Sequence, residues 1–342
     1  MKFYCGIDLH AKDCVLCVID NKEKIHLREK VPNRLERIIG MLRGFSPRPA
    51  VAIEATLNWY WLVDGLEEAG YKVKLAHTHG LHMITGAKVK TDPRDAFSLA
   101  RLLRLDAIPE AYIYPKEQRP VRDLLRRRHG LVSLCSAAYG SLRRNLLQQG
   151  MWDYTFAAIR QLDALRICEL FSDAAIQASM LLELERVLLY SQEIEKVEKI
   201  LLDTVADQPM FELLRTIPGV GKILALTIFY EVGEIERFGS AKQFCSYARV
   251  VPGLAQSSSV TRRGRGSKQG NPHLKWAFMQ AAGLAVRYNP AVRKFRQTHL
   301  ARRRSKSKRL VSLSIVAHKL AIGAYYVLKG QVPFRQELMF TS

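Results

Sequence analysis

Four acidic residues in the first third of the chain stand where apolar runs end or helices begin. Asp8 closes the run Phe3 to Ile7, within Gly6-Ile7-Asp8-Leu9-His10, and Glu54 closes a second run, Ala50 to Ile53. Asp92 and Asp95 lie three apart in Lys90-Thr91-Asp92-Pro93-Arg94-Asp95-Ala96, at the start of a helical pattern. Residues three apart share a helix face, so both carboxylates can address one point. Such an all-oxygen set suits hard divalent cations, Mg2+ or Mn2+. Two carboxylates about 4 Å apart repel by roughly 4 kcal/mol at an effective dielectric of 20. Four converge only with protonation or a bound cation, and one or two cations there form a site for a phosphodiester. Taken singly, each acid has a plainer reading. Asp92 and Asp95 serve as a helix cap and a charge favourable to the helix dipole, and Asp8 and Glu54 are surface acids at strand ends.

A second constellation lies in the last third. Ser257, Ser258 and Ser259 precede Arg262, Arg263, Arg265 and Lys268. A guanidinium fork matches phosphate oxygens, and a serine beside it becomes a nucleophile once a base or metal activates it. Without those neighbours the serines read as an ordinary loop. Upstream, Ile217-Pro218-Gly219-Val220-Gly221-Lys222 lacks Walker spacing. It reads as the turn of a helix-hairpin-helix element, with Gly219, Gly221 and Lys222 offering backbone N–H groups and a helix N-terminus to phosphate. A simple interhelical turn is the alternative. Arg287 to Arg309 is a basic stretch without Asp or Glu that includes Arg302, Arg303 and Arg304. His77, His79 and His82 have no carboxylate or cysteine to complete a transition-metal set and are read as non-metal residues, with a phosphate contact left open. Cys14 and Cys17 form a CxxC with no second pair at zinc spacing, and are read as structural.

Several elements must position these groups. Apolar runs at Phe3 to Ile7, Cys14 to Ile19, Ile25 to Val31, Ala50 to Ile53 and Tyr71 to Ala76 predict strands. Leu35 to Leu42, Trp59 to Ala69 and Asp95 to Leu105 predict helices, the second stopped by Gly70. Three early strands followed by alternating helices and strands predict an α/β domain with a mixed sheet, whose ligands gather at strand carboxyl ends. Leu162 to Ala206 predicts one long helix with a coiled-coil-like apolar seam, facing a partner helix from a second subunit or else a neighbour within the chain. Ile223 to Tyr230, Pro272 to Val286 and Arg309 to Leu328 predict a mostly α-helical final part. The divisions read from this pattern are 1–145, a catalytic domain; 146–208, a helical connector; and 209–342, a domain with the hairpin, the serine loop and the basic helices.

Composition sets the partner class. The chain has 342 residues, 48% hydrophobic, which excludes wholesale disorder. A formal net charge of +21 calls for a polyanion, nucleic acid or an anionic membrane surface. Membrane association is disfavoured. Asp8, Lys12 and Asp13 interrupt the N-terminal apolar run, so it is not read as a signal peptide. His318 and Lys319 interrupt Leu310 to Leu328, which is read as a buried amphipathic helix. Six cysteines without a signal fit a reducing cytoplasm.

The motifs GIDLHAKD, IEAT and KTDPRDA, followed by IPGVGKILALTIFYEVGEIERF, FCSYARVVPG and SSSVTRRGRGSKQGNPHLKWAF, resemble the IS110-family transposases of bacterial insertion sequences, over nearly the whole chain. The resemblance implies a RuvC-like, ribonuclease-H-like domain with its catalytic DEDD tetrad on Asp8, Glu54, Asp92 and Asp95. It further implies a C-terminal domain whose serine attacks a DNA phosphodiester and forms a covalent intermediate. Relatives often carry Ser-x-Gly near this point. Here Ser259 stands where the Gly would be, so Ser257 is favoured while Ser258 and Ser259 stay open. Also implied are a Mg2+ (or Mn2+) cofactor, a structured guide RNA encoded beside the gene, and a homo-oligomer in which one subunit's tetrad meets another's serine. The location implied is the prokaryotic cytoplasm, in association with the nucleoid. Two competing classes need fewer of these parts. One is a metal-dependent, structure-selective endonuclease of Holliday-junction-resolvase type, using water as nucleophile. The other is a non-enzymatic nucleic-acid binder with an inactive ribonuclease-H-like domain.

All three classes bind a polyanion through the basic stretch. Replacing Arg302, Arg303 and Arg304 with Ala is expected to make the fall of log affinity with log salt shallower by about 0.9 per lost duplex phosphate contact. An unchanged slope in a salt titration means that this cluster does not touch the backbone.

Overall fold

The computed structural model describes residues 1–85, 92–204, 208–251, 253–257, 260–264, 269–301 and 308–340; of residues 85, 92–93, 253–257, 260–264 and 308 only the backbone is described. Arg265, Lys268, Ser258, Ser259 and Arg302 to Arg304 lie outside these residues. The chain divides into two compact units, Met1–Lys116 and Glu117–Ser342.

The first unit is built on five strands: β1 (Phe3–Leu9), β2 (Asp13–Asp20), β3 (Ile25–Pro32), β4 (Ala50–Glu54) and β5 (Val73–Ala76). Their order is β3-β2-β1-β4-β5. β1–β2 and β2–β3 pair antiparallel, β1–β4 and β4–β5 parallel. This is the expected mixed sheet of ribonuclease-H-like type. Four helices accompany it: α1 (Leu35–Leu42), α2 (Tyr60–Glu68), α3 (Thr78–Thr85) and α4 (Asp92–Arg104). Alternation along the strands separates two cores. Cys5, Ile7, Cys14, Leu16, Val51 and Ile53 pack with Ile38 and Leu42 of α1 and Leu62 and Leu66 of α2. On the opposite face, Val15, Cys17 and Ile19 meet Ala96 and Ala100 of α4, while Ala52 and Ala76 meet Leu99, Leu102 and Leu103. Cys14 and Cys17 therefore belong to opposite faces of β2 and cannot share a metal. Burial, with Asp13 and Asp8 nearby, pushes the Cys14 thiol up to about 12.

α4 lies on β1 at backbone contact. A Cβ on Gly6 would stand 2.0 Å from the Ala96 carbonyl oxygen and 2.6 Å from the Ala100 nitrogen. At the far end of the helix, Arg104 donates to the carbonyl of Asn21, which follows β2, and β2 ends there with Asp20 paired to Phe3 at the start of β1. The carboxyl end of α4 thus lies at the start of β1, and its amino end lies over the finish of β1.

The second unit opens with α5 (Arg119–Gln148), then α6 (Phe156–Ile159), α7 (Ala164–Leu170) and α8 (Ala174–Asp203). The single long helix expected over 162–206 is two helices. The Asp163 carboxylate accepts from the N–H of Arg166, and that of Asp173 from Ala175 and Ile176, each opening a new helix. The seam of α8 is covered from within the chain by α5, running antiparallel. Cys135, Leu142 and Leu146 pack with Met180, Leu184 and Val187, and Arg128 pairs with Glu198. Leu182, Leu188 and Ile200, which share the apolar spacing of that run, are exposed. Because α5 belongs to this pair, the division by compactness falls before residue 145.

The remainder comprises α9 (Pro209–Arg215), α10 (Lys222–Val232), α11 (Ala241–Tyr247), the hairpin β6 (Gly253–Ser257) and β7 (Val260–Gly264), α12 (Pro272–Tyr288), α13 (Pro290–Ala301), α14 (Lys308–Gly330) and α15 (Gln336–Met339). Phe244, Phe278 and Tyr325 centre its core, which reaches α5 through Leu125. The stretch Arg309–Gly330 is long and apolar enough to cross a membrane, and half of its most apolar window is buried within the protein. One buried ionic node joins three elements. Glu231 of α10 is 1% exposed. It accepts from Arg126 Nε at 2.6 Å, Arg126 Nη2 at 2.9 Å, Arg122 Nε at 3.3 Å and Asn271 Nδ2 at 2.7 Å. Burial alone would raise its carboxyl, but the Arg126 hydrogen bond and the Arg122 and Arg126 charges outweigh burial and hold it below the ordinary 4.5.

Two stability predictions follow from these contacts. Gly6→Ala forces α4 off β1 and is expected to lower stability by at least about 1–3 kcal/mol in urea unfolding. Glu231 contributes in full above its unfolded value and less as pH falls through its depressed native one. Glu231→Gln is therefore expected to cost about 3–5 kcal/mol at neutral pH and to flatten the acid limb of the stability–pH curve below about 4.5.

Candidate functional site

Asp8 and Glu54 each stand one residue beyond the last paired step of the β1–β4 register, Ile7 opposite Ile53. Parallel neighbours lie roughly 4.8 Å apart, so these acids sit side by side at strand carboxyl ends. Both share the sheet face that carries Gly6 and Ala52, the face α4 covers. Asp95 adjoins Ala96, the residue in contact with Gly6, and Asp92 is the first residue of α4. Three described carboxylates and the Asp92 backbone therefore gather at one end and one face of the sheet. Asp8 is 7% exposed, with its Oδ2 3.3 Å from His10 Nε2. Among the described residues, no group of three or more His, Cys, Asp or Glu stands close enough to hold a metal ion. The Asp92 carboxylate lies outside that set.

The loops around these acids are tied by side-chain amides and hydroxyls. Asn33 and Asn58 each donate to the His10 carbonyl at 2.9 Å. Thr56 donates to Asn58 Oδ1 at 3.1 Å, and Thr78 to the Ala55 carbonyl at 3.4 Å. His10 was not among the expected residues, although its position two after Asp8 was a usable signal. His77 lies at the start of α3, where its Nδ1 accepts from the Gly80 N–H at 3.2 Å.

The serine segment, expected as a loop, is a hairpin. Ser257 ends β6 opposite Val260, and Arg262 and Arg263 of β7 pair with Ala255 and Leu254. Ser258 and Ser259 fall between the strands, outside the described residues. The root of the hairpin is anchored to helices. The Asn271 N–H donates to the Tyr247 carbonyl at 2.6 Å, and its Oδ1 accepts from His273 and Leu274 to cap α12. Its amide nitrogen reaches Glu231, and a Cβ on Gly270 would stand 2.4 Å from the Tyr247 carbonyl oxygen.

The α9–α10 turn divides the roles of its glycines. Gly219, at φ 79°, packs on α12, where a Cβ would stand 2.1 Å from the Ala281 carbonyl oxygen. Gly221 has open space around it and forms the N-cap of α10, and it and Lys222 are exposed. Two of the basic residues before Arg309 are engaged in packing. Arg293 donates to the carbonyls of Val286 and Arg287, and Arg296 to Ser312 and the Arg309 carbonyl.

Comparison with known proteins gives this geometry a family. Residues 5–151 match the transposase domain of DEDD, IS110 type, and residues 211–297 match "Transposase IS116/IS110/IS902 family". The chain is 27% identical over 217 residues to "Putative transposase y4qE" of Sinorhizobium fredii, covering 61% of this chain and 51% of that protein. It is 30% identical over 128 residues to the pilin gene-inverting protein of Moraxella bovis, covering 37% of this chain and 39% of that one. Against the transposase for insertion sequence element IS1328 of Yersinia enterocolitica it is 23% identical over 273 residues, 77% of this chain and 80% of that one. The chain thus spans about half the length of the first relative and less of the second. Both domain types occur in order, the first enclosing all four acids and the second the serines, and the chain belongs to the IS110 family of transposases.

Proposed function

We propose that the protein is the DNA transposase of an insertion sequence, cutting and rejoining strands through a covalent serine–DNA intermediate. The observation that carries this reading is the gathering of Asp8, Glu54 and the start of α4 at one end of one sheet face. Asp8, Glu54, Asp92 and Asp95 would make an all-carboxylate donor set, whose chemistry suits Mg2+ or Mn2+ and not a soft transition metal. When bound, the cation neutralises these acids and polarises a phosphoryl oxygen.

The chain's own residues do the rest. Ser257 Oγ bonds to phosphorus as the phosphorus–oxygen bond to one strand breaks, and the displaced sugar hydroxyl takes up the proton that the serine gives up. One phosphoester replaces another, so the reverse step rejoins strands without external energy. Arg262 and Arg263, with Arg265 and Lys268, hold the phosphate against the hairpin. Gly221 and Lys222 offer a second backbone contact at the α10 N-terminus, while Gly219 acts by packing. The name of the pilin gene-inverting relative describes inversion, which requires joining as well as cutting and favours a covalent intermediate over hydrolysis. The +21 charge suits a joint load of DNA and a structured guide RNA. A homo-oligomer acting in the prokaryotic cytoplasm completes the reading.

Ser257→Ala is expected to abolish the denaturation-resistant protein–DNA adduct and to lower recombination on the order of 10³-fold or more. Ser258→Ala and Ser259→Ala are expected to retain both. Asp8→Asn is expected to abolish strand cleavage. Cleavage by the wild-type protein with no adduct, unaffected by any of the three serine changes, would overturn the covalent mechanism in favour of the water-using endonuclease.

A further inference from the structure

We infer that Arg249 forms a phosphate-binding subsite at the root of the serine hairpin, taking a nucleic-acid phosphodiester a few nucleotides from the reacting one. The inference rests on the transposase reading and adds a contact outside the residues assigned to it. A cleft of about 360 Å³ lies between the end of α11 and the strand return, lined by Gln243, Ser246, Tyr247, Arg249, Gln269 and Gly270. Its lining mixes polar and apolar surface, Val251 included, and among the described residues its cation is Arg249. Arg249 makes no side-chain hydrogen bond or ion pair among the described residues, and its Nε is buried without a partner. A buried guanidinium nitrogen left unpaired is unfavourable unless an acceptor beyond the described residues reaches it.

The backbone strengthens the case. Arg249 adopts φ 56°, a left-handed conformation that glycine takes freely and a long side chain does not. Its N–H donates to the Ser246 carbonyl, closing the helix end, a task that needs no side chain. The chain therefore holds a charged residue where the turn favours glycine, and none of the described residues uses the charge. Glu23, Asp106 and Gln331 share a left-handed φ, so at Arg249 it is the cleft and the unpaired buried Nε beside the strained backbone that point to a ligand. Arg249 Cγ also lies 3.0 Å from the position a Cβ on Gly270 would occupy, so the guanidinium stem packs against the return side of the hairpin. From Gly253 to Ser257 the strand advances roughly 13 Å. A strand seated on Ser257 at the tip and following the hairpin would bring a later phosphate to the root, where the planar fork can take two of its oxygens.

The test uses the full-length protein and a duplex oligonucleotide of mixed sequence, with Arg249→Gly, Arg249→Asn and Arg249→Lys. The first two keep or relieve the left-handed backbone. Each is expected to keep the wild-type Tm or exceed it, to weaken duplex binding on the order of tenfold, and to make the salt slope shallower by about 0.9. Arg249→Lys keeps the slope and part of the affinity. An unchanged slope in Arg249→Gly, or a Tm lowered by several degrees in it, would assign Arg249 to the scaffold and overturn the subsite. Adduct formation by the wild-type protein is scored in parallel. A changed slope without any adduct leaves the phosphate subsite standing and removes the recombinase reading, and an adduct with an unchanged slope does the reverse.

Discussion

At Gly6 the backbone of α4 rests on the backbone of β1, with no room for even one methyl group. That contact fixes where the amino end of a helix lies relative to the carboxyl ends of two parallel strands. Asp8 and Glu54 are set by strand register and Asp95 by helix phase, and the Gly6 contact locks the two together. Carboxylates brought to about 4 Å would repel by roughly 4 kcal/mol even at an effective dielectric of 20, so a closer convergence of these acids needs packing on both faces of the sheet to hold them in place. The small residues Ala96 and Ala100, the amide ties at His10 and the buried alternation of β1 and β2 all act in that direction.

The second unit repeats the device with different chemistry. Gly270 and Gly219 again allow backbone contact, the first beside Tyr247 and the second on α12. Asn271 both caps α12 and donates to Glu231, whose charge is balanced by Arg122 and Arg126 of α5. A buried carboxylate with two guanidinium partners gains little net stability over an apolar replacement. What it supplies here is direction. It ties the start of α12, and with it the return of the serine hairpin, to α5 and α10 at once.

Much of this was legible in the residues because the first unit obeys simple periods. The strands around Asp8 and Glu54 are short apolar runs whose ends coincide with the acids, and Gly70 stops a helix where a left-handed residue is needed. The Asp92–Asp95 spacing placed both on one helix. Other features depend on signals that periodicity does not carry. Apolar residues continue across Ser172 and Asp173, so the run read as one helix, although Asp163 and Asp173 are good caps and marked the breaks. The seam of α8 alone leaves a partner in a second subunit or within the chain, and α5, rich in arginine, does not look like its other half. The hairpin was read as a loop because Gly, Ser and Arg dominate it, and strand pairing there is made by the backbone alone. Arg249 gave no sign at all in the sequence, since a left-handed φ at a non-glycine residue becomes visible only in the fold.

A two-stranded ribbon has little core of its own and is marginal in isolation, so the direction in which the serine hairpin points is set at its root. Two of the contacts there belong to the return side, Gly270 against the Tyr247 carbonyl and Asn271 between α12 and Glu231. The outgoing side follows α11 through Arg249 and the buried Val250. Holding the root by helix ends concentrates the described packing there. On the proposed reading this suits a nucleophile that must engage one phosphate, release it and engage another, because an anchored root carrying a cation can keep hold of the strand while the reacting phosphate changes.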